Sequence, residues 1–503
     1  MTDIGWNIDL PAHLTASQTC DYIKSYAAHF DLDRDVQVNT SVKWIKRNIE
    51  NTKWQVRLKT AGTEETRDFD KVVICNGLTA KAVSPRFEGV EKFKGKIIHV
   101  QAFKRYVAPP FPSGLPLSQK QTFRFQGHES PCGRHREQRG RHIYPAHRPS
   151  SKDLSLPSRR SKNRNLTPIS QNSQLLTKLQ LPRICLGAPL DLVITRQKNI
   201  LKFALDKYTP ALSRWLFDWT IEQYSKKSFK LDPSWRLSPA PSLANHQPVI
   251  SDNLVDSLWA RNITSVHGIY RFVDDYKVEL TDRTVLRVDA VIFCTGYEPD
   301  FSLTPEFSPL KLEEEEKSRA GINDAPLARL YQNIFPPQYA DSLAYMNYVA
   351  PTDGAITIID LAAMAIAQIW KGASVLPSIK DMNAEISNHH KWIRHLGKDD
   401  SVYVGIVRPG LWFAFLNRAA GTGVGENLGY GWEGWKFWLR ERKLRNLMMR
   451  GVMTPFMYRV FEGRRKRWEG ARKAIFHVNE MAKAYSKWGG MGFDIEDKGG
   501  GVL

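Results

Sequence analysis

Two runs of this chain end alike: Asp70-Lys71-Val72-Val73-Ile74-Cys75-Asn76-Gly77 and Asp289-Ala290-Val291-Ile292-Phe293-Cys294-Thr295-Gly296. Each is an acidic residue, an apolar run of strand composition, a cysteine, a polar residue and a glycine. A glycine directly after a buried strand has no Cβ, so backbone there can approach a flat cofactor closely. Asn76 and Thr295 would offer polar atoms beside Gly77 and Gly296. A single copy is most simply a core strand ending in a turn; the duplication makes the pair a candidate site. The two cysteines belong to a set of five (Cys20, Cys75, Cys132, Cys185, Cys294) that is odd in number and has no C-x-x-C pair. Neither a disulfide framework nor a zinc site is indicated, no metal is expected, and a reducing, cytoplasmic setting is the default.

The elements that must position these turns repeat as well. Residues 14–30 carry Tyr22, Ile23, Tyr26, Ala27 and Phe30 at helical spacing. Short strands are predicted at Val36–Val38, Val42–Ile45 and Trp54–Leu58. A turn at Ala61-Gly62-Thr63 then leads back through Phe69 into Val72–Ile74. The second copy reads as a β-like stretch Ile263–Phe272, then Lys277–Leu280, a turn at Thr281-Asp282-Arg283, Val285-Leu286 and the buried strand Val291–Phe293. Leu201, Leu212, Trp215, Leu216 and Trp219 have amphipathic helical spacing. Ala355–Trp370 is the most apolar stretch, but Asp360 and Gln368 interrupt it, and it predicts a buried helix rather than a membrane span. The N-terminus carries no basic region followed by an apolar run, so no secretory signal is expected.

The length of 503 residues allows two domains with extensions, and 42% hydrophobic with 25% charged residues is ordinary for a globular chain. The net charge of +20 is concentrated: residues 121–165 hold 11 Lys/Arg against 3 Asp/Glu, and residues 436–473 hold 13 against 3. The remainder is nearly neutral, whereas a nucleic-acid-binding fold would spread its charge along one surface; no nucleic-acid partner is expected. Aliphatic residues almost vanish from Gln121 to Asn165, which predicts disorder there, with order resuming near Leu186.

Between the two strand ends lies Phe93-Lys94-Gly95-Lys96-Ile97-Ile98-His99-Val100-Gln101-Ala102-Phe103, an F-x-G-x-x-x-H-x-x-x-F pattern. With Cys294-Thr295-Gly296-Tyr297 it resembles the signatures of the flavin-containing monooxygenases. Phe103, where the related Baeyer–Villiger enzymes usually carry Trp, favours the former group. Further echoes are Trp235-Arg236-Leu237 with Pro239 and Pro241, Pro248-Val249-Ile250 with Asp252, and Lys371-Gly372 before Leu376-Pro377-Ser378. The resemblance implies an α/β fold of two dinucleotide-binding-type domains, the NADP domain inserted into the FAD domain. It implies FAD and NADP as cofactors, molecular oxygen and a small-molecule substrate as partners, and oxygenation of a soft nitrogen or sulfur through a flavin C4a-hydroperoxide. The cofactor-binding residues it implies are Val42 (near the adenine), Asn76, Gly77, Thr295, Gly296 and Tyr297; no catalytic residue is implied. Phe93, Gly95, His99 and Phe103 are the linker motif, where hydrogen bonding by His99 between domains is as good a reading as catalysis.

The chain departs from that family in one respect. Such enzymes open with a strand, G-x-G-x-x-G and a helix, whose glycines and helix N-terminus hold the pyrophosphate, and carry a second such loop for NADP. This sequence has neither, and Gly421-Thr422-Gly423-Val424-Gly425 has the wrong spacing. Both domains are therefore expected to be incomplete, with the start lying upstream and a shifted frame or retained intron near 113–185 the simplest account. The domain expectation is residues 1–110 for the remaining FAD domain and 111–185 for the anomalous basic segment. Residues 186–300 follow as the rest of the NADP domain, 301–400 as the return to the FAD domain, and 401–503 as a basic, aromatic, helical C-terminal extension. That extension interleaves Trp432, Trp435, Phe437, Trp438, Phe456, Tyr458, Phe461 and Trp468 with Arg464-Arg465-Lys466-Arg467. Packing of its aromatics on the body is the favoured expectation, and peripheral contact with a membrane is the other. The alternative within enzymes is a Baeyer–Villiger monooxygenase, and the non-enzyme alternative is an inactive remnant or faulty gene model that binds no flavin.

Overall fold

The structure is a computed structural model that describes residues 16–103, 195–235, 254–310, 327–350, 354–398 and 402–488, with short pieces at 154–155, 184–185, 188–189, 237, 242 and 244–245. After a helix α1 (Ala16–His29), strands β1 (Thr40–Arg47), β2 (Trp54–Thr60) and β3 (Thr63–Phe69) form an antiparallel meander. Trp54, Val56 and Leu58 alternate into a core, as the two-residue period of a half-buried strand requires, while β3 is exposed throughout and edged with charge. The turn between β2 and β3 puts Ala61 and Gly62 at positive φ, the geometry a two-residue hairpin demands. The strand expected at Val36–Val38 does not form: both valines are exposed, and among the described residues no neighbouring strand offers a ladder to hold them.

The chain then makes β4 (Val72–Ile74), β5 (Lys81–Ala82) and β6 (Lys96–His99). The two-residue pieces β7 (Leu154–Ser155), β8 (Ile184–Cys185) and β9 (Ala188–Pro189) follow. β7 pairs with β10 (Thr264–Ser265), so the basic segment expected to lack order contributes a bridge to the body, because backbone pairing needs no apolar side chain. The rest of the expected disordered stretch lies outside the described residues, as do Arg236, Pro239, Pro241 and residues 248–252. The second meander is β11 (Ile269–Asp274), β12 (Lys277–Leu280) and β13 (Val285–Arg287), followed by β14 (Ala290–Phe293) and β15 (Tyr297–Glu298); the expected stretch Ile263–Phe272 is split between β10 and β11. Phe272, Val278, Leu280, Val291 and Phe293 enclose a small core of its own with Phe93. Finally β16 (Leu343–Tyr345) runs parallel to β4, and β14 runs parallel to β6. The fold is α/β, and the duplicated plan of meander and buried strand is present in both halves.

Helices α2 (Arg196–Tyr208) and α3 (Pro210–Ser228) replace the single amphipathic stretch expected around Leu201–Trp219. Pro210 has no N–H to continue the first helix and sits instead at the first turn of the second. The apolar face does not turn inward: Leu201, Leu212, Trp215, Leu216 and Trp219 are all exposed. After α4 (Leu254–Trp259), α5 (Ala355–Trp370) is the buried helix the sequence predicts, with Leu361 and Ala365 fully enclosed. Its one charge, Asp360, accepts a two-pronged contact from Arg459. The helices α6 (Ile379–Leu396), α7 (Pro409–Ala420), α8 (Val424–Asn427), α9 (Trp432–Arg440), α10 (Arg442–Arg450) and α11 (Ala471–Trp488) complete the chain. Residues of this region, among them Trp412, Leu416, Met448, Phe456, Tyr458 and Phe461, share with α5 the largest hydrophobic core. No described helix is long and apolar enough to cross a membrane.

Candidate functional site

The two strand-ending glycines are built by non-local pairing. β4 is held by β16, with the Val72 amide donating to Ser342 O (2.9 Å) and the Met346 amide donating to Ile74 O (2.8 Å). The chain then turns through Gly77 at φ +67°; a Cβ there would stand 3.2 Å from Asn347 Cβ. β14 is held by β6 in register, Phe293 opposite His99. It turns through Gly296 at φ +84°, and among the described residues a Cβ on Gly296 would meet nothing within 4 Å, which leaves the space beside this turn open. Positive φ in both turns is what glycine accommodates without strain.

A continuous seam joins the two turns. β5 and β15 pair antiparallel, Ala82 with Tyr297 and Lys81 with Glu298, and the Lys81–Glu298 ion pair spans 3.0 Å. The Val83 amide donates to Gly296 O at 3.1 Å, and the Thr295 hydroxyl donates back to Val83 O. On the other side Asn76 Nδ2 donates to Asp300 O at 2.9 Å. The Tyr348 hydroxyl donates to Asn76 Oδ1 and lies 3.2 Å from Asp300 O, while its ring stacks on Phe301 at 4.9 Å. Burial pushes the Tyr348 phenol well above the usual tyrosine range, so it remains a neutral donor. The side chains of Asn76 and Thr295 are thus engaged with the protein, holding the turns together, which differs from the expectation that they offer polar atoms to a ligand.

The linker motif divides into parts. Phe93 lies in the second core, edge-on to Phe272 at 5.1 Å. Gly95 is packed so closely that a Cβ would come within 2.6 Å of Asp289 O, which explains the residue type. His99 is buried; its Nε2 lies 3.1 Å from Gly296 O, and its Nδ1 accepts the Gln101 N–H at 3.2 Å. An Nδ1 that accepts leaves the proton on Nε2, which donates to Gly296. Tyr297 packs edge-on against the same imidazole at 5.1 Å. Phe103 is exposed. Val42 sits on a different sheet, paired with Leu58 beside a bulge in β1.

Residue reading along the sequence missed β16 and the Asn347–Tyr348 pair that follows it. The signal available was the apolar run Leu343–Met346 ending in an asparagine, a residue that tolerates the positive φ Asn347 adopts. The Gly421–Gly425 cluster follows helix α7 rather than a strand, and Val424 within it is fully buried.

Residues 1–109 and 178–484 match the FMO-like family, described as flavin-binding monooxygenase-like. The chain is 33% identical over 488 residues to "Monooxygenase aurF" of Gibberella zeae, covering 96% of this chain and 86% of that protein. It is 25% identical over 478 residues to flavin-containing monooxygenase 3 of Oryctolagus cuniculus, covering 93% and 77%. Among solved structures, S-allyl-L-cysteine S-oxygenase from Allium sativum is 16% identical with a TM-score of 0.43, covering 95% of this chain and 80% of that one. A buried strand and glycine turn in duplicate, joined by a Phe–Gly–His–Phe linker, and a family match over most of the length lead to one conclusion: this chain belongs to the FMO-like family of flavin-dependent monooxygenases.

Proposed function

We propose that the protein is an FAD- and NADPH-dependent monooxygenase that oxygenates a small organic molecule at a soft nitrogen or sulfur. The observation that carries this reading is the seam: two glycine turns tied by β5–β15 and by His99, with open space beside Gly296. A flat ring system can lie against backbone only where side chains are absent, and Gly296 meets that requirement. Phe103, rather than tryptophan, at the end of the linker supports heteroatom oxygenation over insertion into a ketone.

In this reading residues 1–110 and 301–400 form the flavin-binding part, 186–300 the nicotinamide-binding part, and 401–503 the helical extension. Asn76, Gly77, Thr295, Gly296 and Tyr297 shape the flavin-facing surface, with Val42 toward the adenine. When bound, the cofactors supply reducing electrons and the activation of oxygen. The chain's own contribution is position: Tyr348 and His99 fix the turns, and the buried, stacked rings of Phe301 and Tyr348 keep water from the inner side of the Asn76 junction.

The glycine turns fit a flat ring, but the one G-x-G-x-x-G run of these residues, Gly429–Gly434, follows helix α8 rather than a strand, so it is not the strand–loop–helix that cradles a pyrophosphate. That observation favours a second reading, a family member that binds no flavin. Purified protein separates the two, because bound oxidised flavin absorbs at about 450 nm. A yellow protein that consumes NADPH and converts a thioether to its sulfoxide supports the first reading. Lactone formation from a cyclic ketone instead would move it to the Baeyer–Villiger group. Colourless protein that FAD does not reconstitute establishes the second reading.

A further inference from the structure

Helix α9 presents Trp432, Trp435 and Leu439 to solvent and Phe437 to the body. Trp432, Trp435 and Leu439, spaced three and four apart, lie on one stripe and are 72%, 55% and 72% exposed; Tyr430 just before them is 81% exposed. On the opposite side of the same helix, Phe437 packs edge-on against Phe461 at 4.9 Å, and Gly434 is buried, so close to the turn leading into the helix that a Cβ would strike the Gly429 carbonyl. The helix cannot roll its tryptophans inward without withdrawing Phe437 and separating that contact. Basic side chains flank the stripe: Lys436 sits over the Trp432 ring at 5.4 Å while pairing with Glu433 at 3.0 Å, Arg442 lies over the Trp438 ring at 5.5 Å, and Arg440, Arg442 and Lys443 are exposed.

We propose that this face of α9 docks on an anionic lipid surface, with the helix lying in the plane of the interface. The residue types match that setting: tryptophan has an apolar body with one polar edge, and lysine and arginine stems lie along apolar surface while their charges reach phosphate and carboxylate headgroups. The excess of 13 Lys/Arg over 3 Asp/Glu in residues 436–473 supplies long-range attraction to such a surface. It also argues against a second copy of the chain as the occupant, because a two-fold contact through α9 would set this charge against itself. With no described helix able to span a bilayer, the contact is peripheral. It places the enzyme beside membrane-dissolved substrates whichever atom it oxygenates.

The test is flotation of the full-length chain with vesicles of phosphatidylcholine alone and of phosphatidylcholine with phosphatidylserine. The expected result is binding to the anionic vesicles that weakens at least tenfold when salt rises from about 0.1 to about 0.5 M. The triple variant Trp432→Ser/Trp435→Ser/Leu439→Ser should bind at least tenfold more weakly with an unchanged melting temperature, since these side chains are exposed. Lys436→Glu/Arg440→Glu/Lys443→Glu gives an independent loss should the first variant fold poorly. Trp215→Ser/Trp219→Ser on α3 should bind as the parent does. Absence of binding to anionic vesicles, or parental binding by both the serine and the glutamate variants, overturns the proposal. So does a lipid-free dimer that the serine variant dissociates, or a single-stranded nucleic acid that competes for the same face.

Discussion

His99 Nε2 lies 3.1 Å from the carbonyl oxygen of Gly296, so one imidazole ties the end of β6 to the turn that leaves β14. The same ring accepts the Gln101 N–H, so both of its nitrogens are engaged with backbone. Replacing His99 with alanine should lower stability by about 1 kcal/mol, the usual net worth of the hydrogen bonds lost, because Gly296 O keeps the Val83 N–H. His99→Gln can return a donor to Gly296 and should recover more than half of that loss. Urea denaturation of the two variants measures both numbers.

The turn glycines differ in what surrounds them. Alanine at either requires a side chain at positive φ and should cost about 1–2 kcal/mol for conformation alone. At Gly296 that is the whole effect, because the added methyl meets open space. At Gly77 the methyl also crowds Asn347 Cβ at 3.2 Å, so Gly77→Ala should be the more destabilising of the two. Flavin retention should show the reverse order if the open side of Gly296 is where the ring lies. Melting temperature and flavin content, measured on both variants, separate the effects.

Tyr348 and Asn76 share one hydrogen bond and one acceptor, Asp300 O. Tyr348→Phe and Asn76→Ala should each cost about 1–2 kcal/mol. Since the two side chains hold the same junction, their effects should not add, and a double-mutant cycle should show a coupling of about 0.5–2 kcal/mol. Additive behaviour would mean that the contact does not hold the turn.

His389 carries the clearest pH dependence. It stacks on Trp392 at 5.5 Å, its Nε2 is buried with no hydrogen-bond partner among the described residues, and Arg408 lies over the Trp392 ring at 5.0 Å. Burial first, then the nearby charges of His390 and Arg408, pulls its pKa from 6.5 down to about 4. The folded protein therefore holds this ring neutral where the unfolded chain protonates it. The associated stability is fully present above pH 6.5 and is lost as the pH falls toward 4. Between pH 7.5 and 5 the loss from this group should be about 2 kcal/mol. Denaturation curves at the two pH values test this, and His389→Phe should flatten the difference.

Asp360 is the one acidic residue of helix α5, and Arg459 reaches it from 99 residues away with two guanidinium nitrogens. Both side chains are largely covered, at 24% and 29% exposure. Asp360→Ala should destabilise by about 2–3 kcal/mol, because it strands a covered guanidinium, whereas the double change Asp360→Ala/Arg459→Met should recover part of that. Calorimetry on the single and double variants decides it.

Much of the site's local form was readable from residue order. The alternation of Trp54, Val56 and Leu58, the Ala61–Gly62 turn and the matched endings at Gly77 and Gly296 depend on side-chain period and on glycine chemistry, both of which are local. The strand expected at Val36–Val38 does not form, and the helices with amphipathic spacing at Leu201–Trp219 leave their apolar residues exposed, for one reason: composition states what a segment could bury, and only a neighbour states whether it does.

What residue order alone determined, then, is a duplicated unit of meander, buried strand and glycine turn, together with the family to which it belongs. Tertiary structure alone decided that β4 lies beside β16 and β6 beside β14. It also decided that Asn76 meets Tyr348 across 272 positions and that His99 closes on Gly296 across 197. A parallel pair has no connecting turn to announce it, and its hydrogen bonds come from backbone atoms that every residue carries, so nothing in the local pattern of either strand names its partner.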